Sequence, residues 1–327
     1  MAEYAIEILD GSSDFTEWDA FNASSPQGSV FSYSWWLQTV CPERFKIILA
    51  RNGKGIVCGL PIVTGRKGPF TVSMLPRYTQ TLGPIFQPFE DVKEYSKIST
   101  QIEALNAIIP RIPRCAYLNM RCHHSYTNLL PFIWAGYSSE VRYTYLFDDL
   151  SDIGRIYEGI TSKYRNKISK AQNSGVEVRE SDDIEAFIET IRISLPATIF
   201  KGSAEAIRSL DATCRAHHAR RLYVAADQTG LVHSSLYVVF DQHCTYNLIQ
   251  GGDLGLRKSG ANILAMWQSI RDAAGQSRMY DFEGSMLQNI EIVFRSFGAV
   301  QTPYYALKKY AGMHLLDKSI QMVKKLM

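Results

Sequence analysis

Residues 279–310, MYDFEGSMLQNIEIVFRSFGAVQTPYYALKKY, constrain the fold more tightly than any other stretch. They open on a short apolar strand, Met279-Tyr280-Asp281-Phe282, with two carboxylates, Asp281 and Glu283, at its end. Gly284-Ser285 breaks the strand, and Ser285 is placed to cap a helix in which Ile290, Val293, Phe294 and Phe297 recur at helical spacing. Gly298 stops that helix, and 303–307 reads as a further strand. Acids where a strand gives way to a helix stand where α/β sheets hold their sites. Strand termination and helix capping are the plain alternative for the same two residues.

A chain of 327 residues is too long for one ordinary core, so two domains are expected, 1–150 and 151–310, followed by a C-terminal helix, 311–327, docked on them. That last segment carries Leu315, Leu316, Ile320 and Val323 on one stripe, which docking explains and a transient membrane-surface contact explains as a sharper alternative. Apolar residues at 46% and charged residues at 20% describe a globular protein with ample core. A net charge of +3 is too small to indicate DNA binding. The opening MAEYAIEILDGSS does not read as a signal peptide, and no apolar run reaches the roughly 18 residues that span a bilayer. Six cysteines without a framework spacing fit reduced thiols, so a cytoplasmic location is expected. Cys122-His123-His124 and Cys214 with His217-His218 lack the paired spacing of a zinc site, so no metal is expected.

In chain order, 13–22 and 32–40 read as helices. Residues 45–50 and 56–63 alternate as strands around Asn52-Gly53-Lys54-Gly55, a hairpin signal. The polar, aromatic loop 75–84 suits a cleft, with Tyr78 and Gln80 as candidate substrate contacts, although most such loops only connect. Residues 90–109 read as a helix stopped by Pro110, and 116–120 and 142–147 as strands. Residues 152–173 read as one amphipathic helix, with Lys163, Lys167 and Lys170 along one side and Arg165 on another. Such a row is usually a solvated face. Four basic residues within eight also suit phosphate, which makes Lys163 and Arg165 candidate substrate ligands. After a strand at 176–178 and helices at 183–194 and 203–217, three strands follow in quick succession at 221–226, 231–240 and 245–250. The loop Gly251-Gly252-Asp253-Leu254-Gly255-Leu256-Arg257-Lys258-Ser259-Gly260 then feeds a helix at 261–274. A glycine-rich basic loop before a helix N-terminus offers N–H groups and a positive dipole end to a pyrophosphate, so Gly255, Arg257, Lys258 and Gly260 are candidate cofactor ligands. Its place after an antiparallel meander argues against a dinucleotide fold.

This order of elements resembles the GNAT N-acyltransferase fold, and Arg257-Lys258-Ser259-Gly260-Ala261-Asn262 resembles its R/Q-x-x-G-x-G/A loop, with Asn262 replacing the final small residue. Lys163-Tyr164-Arg165-Asn166-Lys167-Ile168 with Gly175-Val176, Asp281-Phe282-Glu283-Gly284-Ser285 and Phe294-Arg295-Ser296-Phe297-Gly298-Ala299, together with Leu82-Gly83-Pro84, resemble the FemABX family of peptidyl and aminoacyl transferases. The resemblance implies an α/β (α+β) fold of two GNAT-like domains in tandem, each a mixed, largely antiparallel sheet flanked by helices. Arg295 stands where that family has Lys, which keeps the charge and changes its geometry.

The chemistry so implied is direct attack of an amine on an acyl donor, without a nucleophilic Ser or Cys. Asp281 or Glu283, directly or through water, is the candidate base, and Arg295 and the Lys163/Arg165 pair are candidate anchors for an anionic acceptor. Tyr304 and Tyr305 are candidate proton donors to the leaving group, although two adjacent strand tyrosines are more often one core and one surface residue. The expected donor is acyl-CoA or aminoacyl-tRNA. The expected acceptor is an amine of a small or lipid-linked envelope precursor, either a peptidoglycan intermediate or an amino sugar of a surface polysaccharide. An acyl-CoA-dependent N-acetyltransferase of a soluble small molecule and a non-catalytic binding module on the same fold are the alternatives.

Overall fold

Asn52 and Gly55 close the first hairpin with Gly53-Lys54 at its tip, and the Asn52 side chain accepts the Lys54 N–H at 2.8 Å. The computed structural model describes residues 4–194, 203–284 and 286–311. The described residues fall into two compact units, one from 4–142 with 303–311 and one from 143–302. The division therefore lies at 142/143 and 302/303, where 150/151 and 310/311 are expected. From Pro303 on, the final strand belongs to the first unit, where its residues 306–310 pair with Tyr117–Arg121. Residues 312–327, where the docked helix is expected, lie outside the described residues, as do Ser285 and Pro196.

In the first unit, β1 (Ala5–Leu9), β2 (Phe45–Asn52), β3 (Gly55–Val63) and β6 (Ile85–Phe86) form an antiparallel sheet in the order β1-β2-β3-β6. The short hairpin β4 (Gly65–Lys67) and β5 (Phe70–Ser73) joins β7 (Tyr117–Arg121), which pairs in turn with residues 306–310 of β14 (Val300–Tyr310). Ile48, Val57, Leu60 and Leu118 pack with Leu105 and Ile108 of the helix Glu94–Ile108. Strand β1 and the helix Leu130–Trp134 carry no pattern that marks them in the sequence: β1 buries only Leu9 fully, and the helix is five residues long.

The second unit begins inside β8 (Ser138–Phe147). Its meander is β10 (Arg220–Ala226), β11 (Val232–Phe240) and β12 (Cys244–Gly252), with β9 (Glu177–Glu180) beside β10. From Gly252 the chain runs through the turn Leu254–Ser259 and the helix Ala261–Ala273 and returns as β13 (Met279–Asp281), parallel to β12. Strand β13 pairs on its other side with β8, antiparallel. One sheet face, with Tyr145, Phe147, Leu236, Val238, Tyr280 and Phe282, packs with Ile168 and Ile263 from the helices Ser162–Asn173 and Ala261–Ala273. The other receives Phe187 of the helix Ile184–Ser194, whose ring lies 5.6 Å from that of Tyr237.

The expected single helix over 152–173 is two, Ile153–Gly159 and Ser162–Asn173. Ile160 is extended, and the Thr161 N–H bonds the Ser296 carbonyl at 2.9 Å, so tertiary pairing interrupts the helical ladder.

The hairpin between β10 and β11 carries a pH-sensitive turn. Asp227 accepts the Thr229 hydroxyl and the N–H groups of Thr229 and Leu231, and its other oxygen faces His233 Nε2 at 3.2 Å. The Thr229 hydroxyl, then His233, hold its pKa down to about 2. A depressed carboxyl pKa stabilises the fold above the unfolded value and loses that contribution as pH falls through the folded value. Asp227→Asn is therefore expected to lower the denaturant midpoint most near neutral pH, with the gap to wild type closing as pH falls toward 2. A gap that does not vary with pH would remove the charge from this account.

Candidate active site

Strands β12 and β13 part company. Their parallel ladder runs only from Cys244/Met279 to Tyr246/Asp281, while β12 continues to Gly252. On the other side of β12, the register against β11 shifts between Tyr237 and Val238, which leaves Leu248 as the extra residue of a bulge. The result is a fork at the carboxyl ends of two parallel strands, with Asp281 and Glu283 at the end of one arm.

Asp281 is buried, with 5% of its surface exposed. Its Oδ1 accepts the Thr144 hydroxyl at 2.5 Å and the Glu283 N–H at 2.6 Å. Glu283 is half-buried at φ +60°, followed by Gly284 at φ +55°. Two successive left-handed residues turn the chain sharply out of β13. The turn fits only glycine at its second position, since a Cβ there would meet the Tyr143 carbonyl oxygen at 2.3 Å and Thr144 Cα at 2.7 Å. Tyr280, one residue before Asp281, is fully buried with its hydroxyl 2.8 Å from Ser269 Oγ on the helix Ala261–Ala273. Burial raises its pKa, and the negative charges of Asp281 and Glu283 push in the same direction.

The period of two along a strand separates the predicted trio. Asp281 pairs with Leu146, whereas Phe282 and Tyr145 belong to the helix-covered face. Arg295 lies on the helix Gln288–Ser296, which packs on that face through Phe294, 5.1 Å from the Phe282 ring. It is exposed and ion-paired with Glu291 at 2.8 Å. Glu291 also accepts the Tyr145 hydroxyl at 2.5 Å, and Gln301 donates to that hydroxyl at 2.8 Å. The Tyr145 hydroxyl, then Arg295, lower the Glu291 pKa, and Glu291 raises that of Arg295. Arg295 is thus committed to a partner one helical turn away, apart from the Asp281 face.

The basic residues of the two expected phosphate sites meet. The Gly260 Cα approaches so closely that a Cβ would lie 2.6 Å from the Lys167 carbonyl oxygen, and Gly260 sits at φ +81°. Lys170 Nζ donates to the Lys258 carbonyl at 3.2 Å. Burial, then the neighbouring Lys163 charge, lower the Lys167 pKa, and its ammonium lies 4.7 Å from the Tyr164 ring centre. Lys163, Arg257 and Lys258 are exposed. Arg165 turns away to donate to the Glu158 carbonyl at 2.7 Å, which holds the end of the preceding helix. Within the loop, Asp253 Oδ1 accepts the Gly255 N–H at 2.7 Å and the Asp253 carbonyl accepts that of Leu256 at 3.1 Å. Two of the expected cradle donors are therefore engaged inside the turn.

Tyr78, Gln80 and Tyr304 belong to the first unit. Tyr78 is half-buried at φ +61°, and Gln80 and Tyr304 are buried. The loop around them is anchored by Trp36 Nε1 donating to the Thr79 hydroxyl at 2.9 Å, and Arg142 Nε donates to the Tyr304 hydroxyl at 3.3 Å. Thr144, Ser269 and the Tyr145–Glu291–Gln301 chain were not legible as site components. Thr144 meets Asp281 across 137 positions of sequence, and only strand register brings them together. Among the described residues no group of three or more His, Cys, Asp or Glu side chains is arranged to hold a metal ion, and no helix is long and apolar enough to cross a membrane.

Residues 161–286, which hold the forked strand pair, the basic loop and the helix that follows it, match the family described as an acetyltransferase (GNAT) domain. The fold resembles that of proteins that join two such domains in tandem. Its structure is similar to that of FemX at a TM-score of 0.68, with 13% identity over 91% of this chain and 96% of that one. A tandem GNAT protein from the clavulanic acid biosynthesis pathway gives 0.57, with 13% identity over 95% and 99% of the two chains. A protein of unknown function from Bacteroides thetaiotaomicron gives 0.55, with 12% identity over 94% and 100%. No curated protein sequence matches the chain.

Proposed function

We propose that this acyltransferase moves an acyl or aminoacyl group from an activated carrier to a primary amine of a cell-envelope precursor, a peptidoglycan intermediate or an amino sugar of a surface polysaccharide. The observation that carries the reading is the turned carboxylate Glu283 at the end of β13, beside the fork that the GNAT family match covers. Glu283, directly or through a water, takes a proton from the acceptor ammonium. The free amine attacks the carbonyl carbon of the donor, a tetrahedral oxyanion forms and collapses, and the carrier leaves as a thiol or hydroxyl with a proton. Holding both substrates in the fork supplies much of the acceleration. The phosphates of the carrier lie against Lys163, Lys167, Lys170, Arg257 and Lys258, whose charges need no backbone cradle. The FemX likeness supports the envelope acceptor.

Transfer from acetyl-CoA and from a charged tRNA pool to a UDP-linked peptidoglycan peptide and to glucosamine, followed by mass spectrometry, tests this reading. An N-acylated product from either donor is the expected result, and silence with both donors and both acceptors would overturn it. The likeness to the clavulanic-pathway tandem GNAT protein, described without AcCoA, favours acyl-CoA as the donor and, as a second reading, a soluble small-molecule acceptor. Acylation of free glucosamine with no product on a UDP-linked amino sugar or peptide selects it.

A further inference from the structure

Two carboxylates stand at the end of β13, and the structure gives them unequal freedom. Asp281 is 5% exposed, and a single oxygen, Oδ1, receives both the Thr144 hydroxyl and the Glu283 N–H. Thr144 is itself buried, with 1% exposed, on the strand that pairs with β13. Glu283, by contrast, is half-buried and begins a left-handed pair of residues that only a strong local constraint holds in place. The Asp281 Oδ1–Glu283 N–H bond spans the turn. The Thr144 hydroxyl fixes the carboxylate that makes it, and the Thr144 backbone forms the wall against which Gly284 is pressed.

We infer that Thr144 and Asp281 are positioning residues: together they latch the Glu283–Gly284 turn and so aim the Glu283 carboxylate at the reacting amine. The inference rests on Glu283 as the base. It assigns Asp281 no proton transfer and gives a role to Thr144, which no motif marks. Both bonds end on Oδ1, so an asparagine amide at 281 reproduces them through its own oxygen, while alanine removes them.

Four variants, Thr144→Val, Thr144→Ser, Asp281→Asn and Glu283→Gln, separate this from a bystander hydroxyl and from a base at 281. With acetyl-CoA as donor and the acceptor that responds in the transfer assay, Thr144→Val is expected to lower kcat about 10- to 100-fold with KM little changed, since misaiming a group by about 1 Å carries a penalty of that order. Thr144→Ser restores the hydroxyl and is expected to restore kcat. Asp281→Asn is expected to stay within about tenfold of wild type, well short of the 10²–10⁴-fold that loss of a general base brings. Amide hydrogen exchange gives a readout independent of turnover: the Glu283 N–H is expected to exchange faster in Thr144→Val and at the wild-type rate in Thr144→Ser. Wild-type turnover or unchanged Glu283 exchange in Thr144→Val overturns the latch, as does a Thr144→Ser enzyme as slow as Thr144→Val. If Asp281→Asn falls as far as Glu283→Gln, Asp281 takes part in proton transfer and the assignment fails. Full activity in Glu283→Gln removes the base reading and the latch with it. An inactive Glu283→Gln beside a fully active Thr144→Val removes the latch alone. Should Thr144→Val not fold, Asp281→Ala, which removes both bonds, is expected to lower kcat and speed Glu283 N–H exchange in the same way, and wild-type values of both overturn the latch.

Discussion

Glu283→Gln is expected to reduce acyl transfer about 10²–10⁴-fold, the usual share of a positioned general base, while leaving the melting temperature close to that of wild type. The substitution keeps side-chain length and leaves the Glu283 N–H to Asp281 intact, so the turn survives. What disappears is an acceptor that takes a full proton, because a carboxamide does not do so near neutral pH. Rate measured against pH provides the check: the wild-type acid limb reports a carboxylate that must be ionised, and the variant's residual rate lacks that limb. Retention of more than a tenth of the wild-type rate at neutral pH would move the base elsewhere in the fork.

Gly284→Ala is expected to be the most damaging small substitution in the second unit. At φ +55° an alanine adopts a disfavoured conformation, and its Cβ would stand 2.3 Å from the Tyr143 carbonyl oxygen and 2.7 Å from Thr144 Cα. Both are backbone atoms of β8, the strand paired with β13, so neither moves without disturbing the ladder. Strain and overpacking together are expected to lower stability by about 3 kcal/mol or more. A two-state denaturant titration reads this directly, and a loss below about 1 kcal/mol would show that β8 yields more readily than a paired strand should. Activity is expected to fall further than stability, since the same turn carries Glu283.

Much of the second unit is legible from the chain because local signals and tertiary needs agree there. The meander β10–β11–β12 is bounded by Asp227-Gln228-Thr229-Gly230 and Asp241-Gln242-His243, turn chemistry that fixes hairpins without reference to anything distant. The helix Ala261–Ala273 follows its glycine as expected, and β13 ends at the predicted acid. In the first unit the Asn52–Gly55 hairpin is equally plain, whereas β1 and β6 are too short or too irregular in burial to announce themselves. The 152–173 stripe reads as unbroken because Ile153, Ile156, Ile160 and Tyr164 all keep helical spacing. The break comes from Thr161 bonding to Ser296, a partner that periodicity does not reveal.

The sequence alone determined which residue types stand at the site. It placed two carboxylates at a strand end, a glycine immediately after them, and basic residues on a helix and on a loop before a second helix. Tertiary structure decided how those groups are divided. Alternation along β13 put Asp281 and Arg295 on different sides of the sheet, and helix phase matched Arg295 to Glu291. Register between β8 and β13 set Thr144 against Asp281, and the close approach of Gly260 to Lys167 merged the two basic clusters. The physical reason is range. Turn chemistry, caps and periodicity act over a few residues and are written in the local sequence, whereas strand register and helix contact join residues far apart in the chain, such as Thr144 and Asp281 137 positions apart, and are settled only when the core packs.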